Sequence, residues 1–271
     1  MISDKIASAK KFYDQLGREI RIPFPPRRII SLVPSQTELL YDLGLDQEIV
    51  GITKFCIHPH DKCKTKAKVG GTKNININKI NILVPDLIIA NKEENDELQI
   101  KELIKSYPVW ISDIKTLNDA YRMMETVGEM VNRKDKMIAL VEQIKLEILN
   151  NQALQKESTS DVRNAVYLIW RHPYIVVGND TFINTMVEVA GFTNVFIDKI
   201  RYPEITIDQL KERSPHYILL SSEPFPFKEK HQVEFQAEFP DSKVLLVDGE
   251  MFSWYGSHLL KAPSYFSTLR N

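Results

Sequence analysis

The sequence predicts an α/β fold of two lobes, each a mostly parallel sheet with flanking helices, joined by one long backbone helix. Three observations predict it. Short apolar runs alternate with helical patterns in both halves of the chain. Between the halves lies a long stretch of helical periodicity that contains no strand pattern. Residues 77–90 also align without a gap with residues 207–220, each block reading as a short helix, a proline and a buried strand.

In chain order, Arg28-Ile-Ile-Ser-Leu-Val-Pro34 is an apolar run of the buried-strand type. Ser35-Gln-Thr-Glu38 follows it in the form of a capping box, the Ser hydroxyl accepting from the amide three residues on and the Glu reaching back. The helix so started carries Leu39, Leu40 and Leu43 and stops at Gly44. Strands are expected at 48–53, 85–90 and 108–112, with a polar helix at about 95–106. Beyond Ser112, Leu117, Ala120, Tyr121, Met124, Val127 and Val131 recur at helical spacing. After a polar break at 132–135, so do Met137, Leu140, Val141, Ile144 and Ile148. A helix from 133 to about 155 spans roughly 35 Å at the standard rise, and the polar stretch 156–161 ends it. Strand patterns resume at 164–170, 174–177, 217–220 and 244–247. The second lobe also repeats the first helix loosely, 180–191 reading as a cap, an apolar helix and a glycine stop. The domains are therefore placed at 1–131 for the N-terminal lobe, 132–160 for the connecting helix and linker, and 161–271 for the C-terminal lobe. In open parallel sheets the ligand sits beyond the carboxyl ends of the strands, so two such edges facing each other are expected to form a cleft.

The 271 residues, 43% hydrophobic and 26% charged, suffice for two cores. Thirty-five Lys and Arg against 36 Asp and Glu leave a net charge of −1 with no basic run, which gives counterion release no source and argues against a nucleic-acid partner. No 18-residue apolar run is present, so no membrane span is expected. The first residues lack the apolar core of a secretory signal. As given, the chain is expected to be cytoplasmic, or periplasmic or lipid-anchored if its N-terminus was trimmed. Cys56 and Cys63 make no disulfide framework. A monomer is expected.

Taken in order, Asp14-Gln-Leu-Gly-Arg-Glu-Ile-Arg-Ile-Pro23, Arg27-Arg-Ile-Ile-Ser-Leu-Val-Pro-Ser-Gln-Thr-Glu38, Val69-Gly-Gly71, Pro85-Asp-Leu-Ile-Ile-Ala90 and Ala190-Gly-Phe-Thr-Asn194 carry a family likeness. With the long helix between them, they resemble the substrate-binding proteins of vitamin B12 and iron-siderophore ABC importers, whose lobes are joined by one rigid backbone helix. The resemblance covers nearly the whole chain. It implies a non-catalytic receptor that needs no cofactor and holds a small metal chelate (cobalamin, ferric siderophore or haem) in loops at the strand ends, for delivery to an ABC permease or as a signal-less soluble binder. Those loops fall at 33–36, 54–58, 70–74, 91–95, 170–174, 201–204, 221–227 and 250–258. The ligand-binding residues so expected are Ser35, Phe55, His58, Lys73, Asn91, Lys92, Trp170, Arg171, Tyr202, Phe225, Phe252, Trp254 and Tyr255, aromatic faces beside a few polar groups. The sequence departs from B12 receptors at Thr72 and Asn91, where the family places aromatic residues, and keeps Phe55 and Tyr202. Family members dock through an acidic residue on each lobe. The matching positions are Asn78 and Asp208, so only Asp208 is expected to dock a partner.

Cys56, His58 and His60 lie within five residues and are the candidate metal ligands, since thiolate and imidazole suit zinc or haem iron. Their spacing is not that of a structural zinc pair, and a surface loop before Pro59 explains them more simply. The alternative function is a metal-dependent enzyme using this loop, with Glu93 or Glu223 as base. Gly70-Gly-Thr-Lys73 lacks the order of a phosphate loop, and no nucleophile elbow, zincin or dinucleotide motif is present.

Overall fold

Five consecutive buried residues, Leu87-Ile-Ile-Ala-Asn91, show why the first half folds around a parallel sheet: a strand covered on both faces needs an unbroken apolar run. The computed structural model describes residues 9–158 and 163–269. The segment 1–8, read above for a secretory signal, and residues 159–161 of the polar stretch lie outside the described residues.

The chain opens with an antiparallel hairpin, β1 (Ala9–Tyr13) and β2 (Glu19–Pro23), that the sequence reading does not anticipate. There follow β3 (Ile29–Ser31), α1 (Pro34–Asp42), β4 (Ile49–Ile52), α2 (His60–Thr65), β5 (Ala67–Lys68), α3 (Ile77–Leu83), β6 (Leu87–Asn91), α4 (Glu97–Ile104), β7 (Val109–Ser112) and α5 (Leu117–Met130). Strands β5-β4-β3-β6-β7 form one sheet, parallel throughout. Its core gathers Ile30, Leu32, Val69, Ile80, Ile88 and Leu103.

Helix α6 (Lys134–Ser158) has 25 residues, roughly 37 Å at the standard rise, and carries the chain from one compact unit into the other. The second unit continues with β8 (Asn164–Trp170), β9 (Tyr174–Val176), α7 (Phe182–Val189), β10 (Thr193–Asn194), β11 (Glu204–Ile205), α8 (Ile207–Arg213), β12 (Tyr217–Ser221), α9 (Glu229–Glu238), β13 (Lys243–Val247), α10 (Glu250–Ser253) and α11 (Ala262–Thr268). Its sheet runs β11-β9-β8-β12-β13 with β10 also on β8; β9 pairs antiparallel with both β8 and β11, and the other pairs are parallel. Val166, Leu168, Ile218, Leu220 and Phe235 centre its core. The first unit takes the chain to Ile114, Asn118–Gln143 and Tyr255–His258, the second Lys115–Leu117, Ile144–Trp254 and the remainder.

The internal repeat holds residue by residue. Asn76 and Thr206 cap α3 and α8, their side chains accepting from the amides of Lys79 and Gln209 at 3.0 and 3.2 Å. Both helices end in a left-handed residue that is not glycine, Val84 (φ 43°) and Ser214 (φ 44°), just before Pro85 and Pro215. The proline cannot continue the helix, so the chain turns there into β6 or β12.

The capping box at Ser35 does not form. Val33 is the N-cap with no side-chain cap, Pro34 opens the helix, and Ser35 lies inside α1. Proline at the first helical position removes one of the donors a cap would satisfy, and Glu38 is engaged elsewhere.

Candidate functional site

In the first unit the strand-end loops are stiffened from within. The Asn91 side chain, 3% exposed, donates to Ser112 Oγ at 3.0 Å and accepts from the amides of Glu93 and Glu94, while Asn95 Oδ1 accepts from the Asn91 amide at 2.8 Å. One end of its carboxamide is spent on the 91–95 loop and the other on Ser112 of β7, so Asn91 shapes the loop from within. Lys73 Nζ donates to the carbonyls of Glu93 and Asn95, tying the glycine turn to the same loop. That turn needs its glycine. Gly70 has φ 107°, and a Cβ there would lie 2.4 Å from the Asn74 carbonyl oxygen. Lys92 pairs with Asp113 at 2.6 Å.

Phe55 is 50% exposed, with Lys54 Nζ 4.9 Å from its ring centroid. A Cβ on Gly71 would meet the Phe55 ring at 3.2 Å, so the missing side chain lets the ring lie close to the turn. His58 is half-buried and His60 exposed at the start of α2. Cys56 is buried, its sulfur 3.2 Å from the hydroxyls of both Thr37 and Thr53. Burial pushes the Cys56 thiol up, and pushes Cys63 up to about 11, so both stay protonated near neutral pH.

Residues 255–258 return to this unit from the far end of the chain. Tyr255 donates to Glu94 Oε1 at 3.2 Å. Burial, and then the Glu94 carboxylate, raise the phenol well above its usual value, keeping it a donor. Gly256 (φ 100°) lies against Leu39 and the Ser35 carbonyl. His258 Nδ1 meets Glu38 Oε2 at 2.8 Å, with side-chain exposures of 3% and 8%. Ser35 is buried beneath this return segment. Sequence reasoning placed Glu94 and His258 in strand-end loops and read Glu38 as a capping residue, and it did not pair Glu38 with His258 or Glu94 with Tyr255. The one local signal was a glutamate in an α1 whose residues 35–41 are all buried.

In the second unit, Trp170 ends β8 at 39% exposure, edge-on to Phe225 with centroids 5.8 Å apart. Phe225 packs in turn on Phe227 and His231. Arg171 pairs with Glu234 at 2.7 Å, and the Arg201 guanidinium lies 5.4 Å from the Tyr202 ring centroid. Phe252 is fully buried against Tyr167 and Phe266 and packs in the core, and Trp254, the C-cap of α10, is 8% exposed. The Trp254 indole and the Ser253 hydroxyl, the latter at 2.6 Å, donate to Glu223. Burial, and then the Glu250 and Asp248 carboxylates, raise Glu223 above the usual carboxylate range. Asp208 is exposed in the first turn of α8, and Asn78 at the matching place in α3.

Among the described residues no group of three or more His, Cys, Asp or Glu side chains is gathered to hold a metal, which leaves the metal-enzyme alternative without its centre. Two α/β units on one long helix, with half-exposed aromatic rings in strand-end loops, define a substrate-binding protein of the helical-backbone class, related to B12, siderophore and haem importers. Residues 29–243 match the periplasmic binding protein profile, and the chain belongs to that family of non-catalytic transport binding proteins. It is 28% identical over 212 residues to the uncharacterised ABC transporter substrate-binding lipoprotein YvrC of Bacillus subtilis, covering 76% of this chain and 67% of that one. To the vitamin B12-binding protein of Pectobacterium carotovorum it is 25% identical over 244 residues, 88% of this chain and 86% of the other. The crystal structure of a periplasmic haem-binding protein from Pseudomonas aeruginosa superposes with a TM-score of 0.77 at 17% identity, covering 90% and 92% of the chains, a likeness of fold.

Proposed function

We propose that the chain is the substrate-binding component of an ABC importer and holds a metal chelate of cobalamin, haem or ferric-siderophore type on its strand-end aromatic residues. The observation that carries this reading is the division among the aromatic rings. Phe55 and Trp170 stay 50% and 39% exposed in strand-end loops, while Phe252 is sealed in the core. Large rings held half out of water by a packed loop supply stacking area at low entropic cost. Lys54, whose Nζ lies over the Phe55 ring, adds a cation to that loop, matched to the carboxylates that many such chelates carry. The names of the Pectobacterium and Pseudomonas relatives, one for vitamin B12 and one for haem, support the chelate class without choosing between its members.

Asp208 is the residue assigned to permease docking, with Asn78 its uncharged counterpart in the repeat. A periplasmic or lipid-anchored location fits the family far better than the cytoplasmic one.

Fluorescence titration tests the ligand class. Cyanocobalamin, haemin and ferrichrome are added to the protein while tryptophan emission is followed. One of the three is expected to quench saturably at one per chain, with affinity at least tenfold lower in Trp170→Ala. No saturable quenching by any of them up to about 100 μM, the weak end of specific binding, removes the chelate reading.

A further inference from the structure

We propose that the outer face of α6 is a self-association surface, on which a second copy of this chain seats its own α6, antiparallel about Leu146. Helix α6 is one unbroken element, so the faces of its residues follow from a turn of about 100° per residue. Met137, Val141, Ile144 and Ile148 are buried on one side. On the side centred opposite them, Ile138, Leu146, Leu149 and Leu154 are large, aliphatic and between 43% and 61% exposed. A surface helix keeps its outward side polar, whereas a helix apolar all round is covered all round. The outer side of α6 therefore calls for a cover.

The layout of that side selects a second copy as the cover. Leu149, Glu142 and Ile138 lie to one hand of Leu146, and Ala139, Asn150 and Gln143 to the other, all of them exposed. A two-fold axis through Leu146 sets two α6 helices antiparallel and brings each hand against the same hand of the partner. Leu146 then packs on the partner's Leu146, and Leu149 lies beside the partner's Leu149. On the other hand Gln143 comes level with the partner's Asn150, where the two carboxamides can donate and accept reciprocally. Ala139 and Ala153 are small enough to let the helices approach.

Charge fits the same arrangement. Lys145 flanks the Leu149 hand, so each ammonium comes alongside the partner's Glu142, whereas a parallel pair would bring the two Glu142 carboxylates to one level. A net charge of −1 sets little repulsion between copies. From Ile138 to Leu154 the strip runs about 24 Å, and at a width of roughly 10 Å it covers about 250 Å² per copy, against the roughly 800 Å² per partner of a standard stable interface. The pair is accordingly weak and forms only at high local concentration. None of these residues lies in a strand-end loop, so the surface is separate from the one assigned to the chelate.

Sedimentation velocity of the untagged chain from about 1 to 300 μM covers the weak end of specific association. The expected result is a monomer at the low end and a dimer, with nothing larger, growing in at the high end. Leu146→Glu sets two carboxylates against each other on the axis and should weaken the dimer about tenfold or more. Val233→Glu, at an exposed apolar residue of α9, should leave the dimer unchanged. Oxidation with copper phenanthroline should join Leu146→Cys to its mate but not Ala139→Cys, whose thiols the antiparallel pairing holds roughly 21 Å apart along the helix. All of these substitutions fall on exposed residues, so the fold is kept. A monomer throughout, a dimer that Leu146→Glu leaves as strong as before or that Val233→Glu abolishes, or Ala139→Cys that cross-links as readily as Leu146→Cys would each overturn the assignment.

Discussion

Glu38 Oε2 and His258 Nδ1 lie 2.8 Å apart although 220 residues separate them in sequence, and the contact ties the returning segment 255–258 to α1. Tyr255, bonded to Glu94, makes a second tie three residues earlier. Removing one partner of a buried hydrogen bond leaves the other group desolvated with that bond lost. Glu38→Ala should therefore cost about 3 kcal/mol in urea unfolding, while Glu38→Gln, which keeps an acceptor, should cost roughly half that. Equal and negligible losses in both variants would show that the contact contributes nothing to stability.

Val84 is β-branched, 61% exposed and left-handed at φ 43°. Glycine removes the clash between Cβ and carbonyl that this conformation imposes, and little apolar burial is lost. Val84→Gly should stabilise the protein by about 1 kcal/mol, read as a higher urea midpoint at unchanged slope. A lower midpoint would mean that packing at Val84 outweighs backbone strain.

Glu223 sets a pH dependence. Its value is raised above the usual 4.5 in the folded protein, mainly by burial. Over the interval between 4.5 and that raised value the folded state holds a proton that the unfolded chain has released, so this group makes stability fall as pH rises through the interval. Glu223→Gln keeps an acceptor for Ser253 and lacks the ionisation. Its stability should therefore exceed that of wild type at neutral pH, and the difference should shrink on acidification to pH 4.5. A difference that grows on acidification contradicts the assignment.

Two phenylalanines separate the proposed binding surface from the core. Phe252→Ala should cost about 3–5 kcal/mol, as expected for an aromatic ring deleted from a packed interior. Phe55→Ala, at a half-exposed ring, should change stability by less than about 0.5 kcal/mol while weakening chelate binding at least tenfold. Paired urea unfolding and fluorescence titration of the two variants read both effects. Unaltered chelate affinity in Phe55→Ala would remove this residue from the binding surface.

What the sequence revealed follows from the range of the interactions involved. The central strands of both sheets are largely apolar runs such as Leu87–Asn91, a local signal, whereas the two-residue strands β5, β10 and β11 carry none, and the repeat recovered α3 and α8 together with their prolines. The β1–β2 hairpin was missed because its strands alternate with polar residues and bury only Phe12, Ile20 and Ile22. Ser35 and Glu38 misled because the capping-box pattern is local, whereas the partner of Glu38 arrives from the other end of the chain. Phe252 misled in the same way: an aromatic residue in a strand-end segment looks alike whether it faces a ligand or Tyr167. Local spacing revealed the scaffold, and long-range pairs decided which side chains were left to meet a ligand.

The central claim, a non-catalytic binder of a metal chelate, is tested most directly by thermal unfolding with each candidate at saturation. A ligand at 100 times its Kd adds about 2.7 kcal/mol to the stability of the state that binds it. One of cyanocobalamin, haemin or ferrichrome should therefore raise the unfolding midpoint by several degrees and be recovered chemically unchanged. A midpoint that none of the three moves at saturating concentration, or a chelate recovered as a different compound, would contradict the account.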